Sequence, residues 1–159
     1  MTSLLRFAPS DLTPRPADPA LAEVARTRWR ERVADLDDDR QKAAALALVE
    51  GPDTGPLLTT VFGSSPFLTE CLLAEIPFTL GLAERGPEAG LVEALASIPP
   101  LGTEEDQAAL MAGLRRARRK AALAIALADI AGLWPVEKVT RGLSDLAEAA
   151  LSPARFSGA

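Results

Sequence analysis

Thirteen prolines and eleven glycines cut this 159-residue chain into short segments, and those segments repeat their apolar positions at helical rather than strand spacing. No stretch alternates with period two over a useful length, and the alanine and leucine content favours helix throughout. Proline removes a backbone donor and pushes its predecessor towards extended geometry, so each one starts or stops an element. The fold class is therefore all-α, an irregular multi-helix bundle of about seven or eight helices.

The punctuation places the elements. Prolines 9, 14, 16 and 19 make residues 1–19 an extended N-terminal arm. Asp18 can cap the first helix with Pro19 at its first position, and Leu21, Val24, Ala25, Trp29, Val33 and Leu36 form its apolar stripe. The aspartates of "DLDDDR" lack the glycine turn and distal glutamate of a calcium loop, and read as a turn plus the acidic start of "RQKAAALALVE". Gly63 is expected to end a helix in the left-handed conformation. Ser65 then caps the next helix, with Pro66 first, and Pro77 marks another break. "PEAGLVEALASI" is a short helix. Thr103, followed by three acids, opens a long one that reaches about Ala131 with a possible kink at Gly113. After "GLWP" the last helix places Val136, Val139, Leu143, Leu146 and Leu151 on one face. Residues 20–152 are read as one helical domain, and 153–159 as a C-terminal tail.

Composition excludes several chemistries. There is no histidine or tyrosine and a single cysteine, Cys71, so neither an intrachain disulfide nor a Cys/His metal site can form. Cys71 lies among apolar neighbours and reads as a buried, inert thiol. The formal net charge of −5 disfavours nucleic acid. "MTSLLRFAPS" has no signal-peptide pattern. The longest apolar run, Ala121 to Ala128, is far shorter than the roughly 20 residues a membrane span needs. The expectation is a soluble, cytoplasmic protein with no membrane and no nucleic-acid partner, and with no catalytic, cofactor-binding or metal-binding residue of its own.

One segment stands out against the acidic background. In "LRRARRKAALAIALA", Arg115, Arg116, Arg118, Arg119 and Lys120 fall within six residues and run into eight apolar ones. On a helical wheel the five cations cover roughly 200° of arc and leave Leu114 and Ala117 facing inward. Beyond Lys120 the helix is apolar on every side, which requires protein around it. A solvated face, a docking surface for another domain or protein, and a nucleic-acid site compete. Arginine's predominance suits docking. Nucleic acid would want aromatic stacking residues or a recognition helix, and neither is present. The five cations are the candidate interdomain or partner docking residues, with Arg115 and Arg119, four apart on one ridge, as the leading pair.

Several segments together resemble the N-terminal region of the glutamine synthetase adenylyltransferase family. They are "VFGSSPFLTECLL" and the later "LRRARRKAALAIALADIAGLWPVEKVTRGLSDLAEAAL". The matching positions are Phe62, Gly63, Ser65, Pro66, Phe67 and Leu68; Leu114, Arg115 and Arg119; Asp129; and Val139, Thr140, Leu143, Ser144, Leu146 and Ala147. Ser64 departs from the asparagine often found there, and the resemblance rests on no motif in the first 50 residues.

The resemblance implies a parent enzyme that attaches AMP to a tyrosine of glutamine synthetase and removes it by phosphorolysis at a second site in its N-terminal half. PII signalling proteins and glutamine govern the balance, and magnesium and ATP or ADP are the cofactors of that parent. Such sites hold two divalent cations on an Asp-x-Asp pair after a glycine-rich strand motif. This chain has no such motif, so it is expected to be a helical segment without the active site, leading towards a nucleotidyltransferase domain. The rival reading is a free-standing helical adaptor with a basic docking helix.

Overall fold

The computed structural model describes residues 13–100 and 106–151. Among them every regular element is a helix and no strand occurs, so the chain is all-α. It divides into two compact units, Met1–Gly86 and Pro87–Ala159.

The first unit holds α1 (Pro19–Ala34), α2 (Asp39–Glu50), α3 (Gly55–Ser64), α4 (Pro66–Ala74) and α5 (Ile76–Arg85). Local chemistry sets their starts. Asp18 accepts a hydrogen bond from the Leu21 amide at 3.0 Å, Asp38 from the Arg40 amide at 2.8 Å, and Ser65 from the Leu68 amide at 3.2 Å. Pro19 and Pro66 lie in the first turns, as their missing amides allow. Pro77 lies in the first turn of α5, and the chain bends by 91° between α4 and α5.

α3 lies chiefly against α1. Trp29 ties three helices together. Its ring is 6.1 Å from that of Phe62 on α3, and its indole N–H donates to the Ala45 carbonyl of α2 at 3.0 Å. The buried ridge of α1 is Ala22, Ala25, Trp29 and Val33. Leu21 and Val24, expected on that ridge, are exposed instead. Each precedes a buried alanine by one residue, and 100° of rotation carries it to the rim.

Gly63 also departs from expectation. It does not end α3 in a left-handed conformation but sits inside the helix, buried. A Cβ there would meet Pro16 and stand 2.7 Å from the Asp18 carbonyl oxygen. Residues 13–18 lie along α3 for this reason. Asp18 N–H donates to the Gly63 carbonyl at 2.8 Å, Ala17 N–H to Ser64 Oγ at 3.1 Å, and Thr60 Oγ1 to the Pro14 carbonyl. The remainder of the expected arm, 1–12, and the expected tail, 153–159, lie outside the described residues.

The second unit holds α6 (Pro87–Ala96), α7 (Gln107–Ile130) and α8 (Val136–Leu151). α7 packs most extensively on α6, and α8 contacts both. Thr103 lies outside the described residues, and the residue that caps α7 is Asp106, accepting from the Ala108 amide at 2.9 Å. α7 continues through Gly113 without a break. Gly132, with φ of 66°, makes the turn after α7, and the Leu133 amide returns to the Ala128 carbonyl at 2.9 Å. No single helix among the described residues is long and apolar enough to cross a membrane.

Candidate docking site

α7 positions the cationic residues. Its sequence permits close packing at Gly113, where a Cβ would stand 2.6 Å from Pro99 Cγ. Beyond it Ala117 turns inward to a cluster with Leu95, Ile98 and Ala149, edged by Leu91, Leu114 and Leu146. With Ala117 fixed inward, Arg115, Arg116 and Arg118 are carried outward and are exposed. No carboxylate among the described residues forms an ion pair with these three. Arg119 and Lys120 are half-buried and each is engaged with a neighbour. The five cations are therefore not one uniform strip. Three project, and two are set into the fold.

The rest of α7 is buried as its composition requires, from Ala121 through Leu123, Ala124, Ile125, Leu127 and Ala128. Ile125 and Ala128 pack with Trp134, edged by Leu91 and Val139. Gly142 of α8 lets that helix approach, because a Cβ there would already be 3.3 Å from Ile125 Cγ1.

A polar cluster that spacing alone could not reveal closes this unit. Glu88 Oε1 on α6 accepts from the Trp134 indole N–H at 3.0 Å and from the Lys138 ammonium of α8. The same ammonium lies 5.0 Å from the centre of the Trp134 ring. The Lys138 hydrogen bond is the main cause that holds the Glu88 carboxyl below its ordinary value. These partners are 46 and 50 residues apart in sequence, so no local pattern announces them.

The remaining positions of the family pattern take structural roles. Phe62 is core and Ser65 is a cap, whereas Phe67 is exposed. Asp129 is exposed near the end of α7. On α8, Thr140 donates to the Val136 carbonyl at 2.9 Å, and Ser144 to the Thr140 carbonyl at 3.0 Å. Val139 and Leu146 are half-buried, while Leu143 and Ala147 are exposed.

A cavity of about 510 Å³ lies in the first unit, lined in part by Pro14, Arg26, Glu50 and Thr59. Arg15 also lines it, and Arg26 and Glu50 are paired. Arg26 donates to Thr59 at 3.2 Å and meets Glu50 at 3.5 Å, and Arg30 bonds the other Glu50 oxygen at 2.6 Å. Arg30 chiefly lowers the Glu50 pKa. Among the described residues no three carboxylate or thiol side chains gather into a group that could hold a metal ion. The "DLDDDR" aspartates form a turn and a helix cap. The described residues thus do not gather the side chains that a magnesium–nucleotide centre would need.

Comparison with known proteins agrees with the pattern. The family model for glutamate-ammonia ligase adenylyltransferase matches residues 56–156. A bifunctional glutamine synthetase adenylyltransferase/adenylyl-removing enzyme from Rhodopseudomonas palustris (strain BisB5) is 38% identical over 126 residues, covering 79% of this chain and 13% of the relative. Enzymes of the same name from Xanthobacter autotrophicus (strain ATCC BAA-1158 / Py2) and Brucella suis biovar 1 (strain 1330) are 32% and 31% identical. The matches cover 84% and 87% of this chain, and 13% and 14% of those relatives. The chain thus spans only about an eighth of the curated relatives it matches. No solved structure matches it. With the family model aligned over most of α3 to α8 and the motif positions in their expected order, this chain belongs to the glutamate-ammonia ligase adenylyltransferase family.

Proposed function

We propose that this chain is the N-terminal helical region of a glutamine synthetase adenylyltransferase, supporting the half that removes AMP from a glutamine synthetase tyrosine by phosphorolysis. The observation that carries the reading is the family match over residues 56–156, joined to relatives whose names include both adenylyl transfer and adenylyl removal. The chain itself contributes scaffold and contact surface. Phosphoryl transfer needs carboxylates to hold its metal ions, and the described residues gather none. Magnesium and nucleotide therefore belong to the parent enzyme's other domains, and PII and glutamine synthetase are partners of that parent in the cytoplasm of a bacterial cell, where the enzyme serves nitrogen metabolism.

On this reading the α7 cations dock against the nucleotidyltransferase domain that follows. Arg115, Arg116 and Arg118 repel one another unless acids lie close by, and the described residues supply them with none. The test changes the outward-facing Arg115 and Arg118 together to glutamine in the longer enzyme. Adenylyl removal is expected to fall by about tenfold, the effect of misplacing a supporting contact, with thermal stability as control. Unchanged removal, addition and stability would return the cluster to a solvated face.

A further inference from the structure

At about 510 Å³, the cavity of the first unit falls within the roughly 300–1,000 Å³ of small-molecule sites. Three other cavities among the described residues hold only about 140, 190 and 180 Å³. Its wall is built from residues 13–16, α1, the end of α2 and the start of α3. The chain is anchored on either side of Arg15. Thr60 Oγ1 donates to the Pro14 carbonyl, and the Ala17 amide donates to Ser64 Oγ at 3.1 Å. Arg15 is thereby held at the cavity, where it is exposed and forms no ion pair among the described residues.

We infer that this cavity binds a small organic monocarboxylate, with Arg15 pairing the carboxylate and an apolar wall covering the hydrocarbon body. The polar groups select that class. Glu50 is the carboxylate of the lining, and its two oxygens already meet Arg26 and Arg30, at 3.5 and 2.6 Å. An ammonium group would find no free carboxylate there, which disfavours amines and zwitterions. The Thr60 hydroxyl is committed to the Pro14 and Pro56 carbonyls, and the Thr59 hydroxyl to the Gly55 carbonyl. The free donor capacity lies on the two arginines. Arg15 is uncommitted. Arg26 reaches Glu50 only at 3.5 Å, beyond the ~2.7–3.2 Å of a good N–H···O bond, and its Nε is buried without a hydrogen-bond partner. Two arginines against one glutamate leave a single positive charge in the lining, which one carboxylate balances and a phosphate dianion would exceed. Pro14, Pro16, Val49 and Pro56 supply the apolar wall, which suits hydrocarbon. The inference rests on the first unit alone and stands apart from the reaction proposed for the parent enzyme.

The test titrates the isotope-labelled 159-residue chain with sodium valerate and follows amide chemical shifts, with sodium chloride at equal ionic strength as the reference. Saturable shifts are expected at the amides of Arg15, Gly51, Gly55 and Thr59, and none in the second unit. Arg15→Gln is expected to weaken the Kd for valerate by about tenfold, the size of one hydrogen bond to a charged group. Arg15 is exposed, so the variant keeps its fold, which an unchanged thermal midpoint checks. Arg15→Lys, which keeps the charge but not the fork of donors, is expected to recover part of the affinity. n-Pentylamine, norvaline and inorganic phosphate are each expected to bind more weakly than valerate. An absence of saturable shifts with valerate overturns the inference, as does an Arg15→Gln variant that binds it like wild type. Tighter binding of the amine, the zwitterion or phosphate would assign the cavity to another class of ligand and overturn it as well.

Discussion

Glu88 shows how one carboxylate can organise a helix unit. A single oxygen accepts from Trp134 and from Lys138, and the ammonium also lies against the indole ring. The folded-state pKa of Glu88 is lowered, first by the Lys138 hydrogen bond and in smaller part by Trp134. A lowered carboxyl pKa adds stability that is present above the unfolded value and is lost as pH falls through the folded one. Glu88 is 58% exposed, so solvent screening limits this contribution to below about 1 kcal/mol. Glu88→Gln should therefore lower the urea midpoint slightly at pH 7. The gap from wild type should close as pH drops below the unperturbed glutamate value of about 4.3. A gap that persists undiminished at pH 3 would mean that the charge is not its source. Nothing in the sequence pairs residues 88, 134 and 138, because their meeting depends on how α6, α7 and α8 pack.

At the scale of elements, what was legible is what local chemistry decides. Asp18 before Pro19, and Ser65 before Pro66, start helices as read, because a capping oxygen and a first-turn proline act within four residues. Less legible was which side of an amphipathic helix is covered. Leu21 and Val24 were assigned inward and are exposed. The residues read as one apolar face of α8 are only partly covered: Val139 and Leu146 are half-buried, and Val136, Leu143 and Leu151 are exposed. Periodicity gives the width of an apolar arc, not the identity of its neighbours. Gly63 was misread for a related reason. A glycine after a helical run suits a terminus, but here it gives residues 13–18 room to lie against α3. Gly63→Ala gains up to about 1 kcal/mol in helix propensity, but forcing a methyl against the Asp18 carbonyl costs typically 1–3 kcal/mol. The expected result is a net loss of stability and faster hydrogen exchange at the Asp18 amide. Higher stability with unchanged protection would show that the close approach is not required.

At the scale of the whole molecule, the all-α class and the family were legible from residue pattern, because the motif positions are spread along the chain in fixed order. The five α7 cations were legible as a charge cluster, but not which of them project, since Ala117 decides which are carried outward and which are set inward. Each of the two units has its own packing, and α7, the longest helix, presents its three outward arginines beside a buried stretch. On the proposed reading the chain is a scaffold that supports the parent enzyme's catalytic domains without doing chemistry. Its central claim is tested most directly by incubating the 159-residue chain with adenylylated glutamine synthetase, phosphate, PII protein and magnesium, and measuring ADP. No release is expected, because the transferring phosphoryl group would find no carboxylate-held metal to stabilise its charge. Sustained ADP release that a substitution within residues 1–159 abolishes would contradict the account and place the catalytic centre inside this chain.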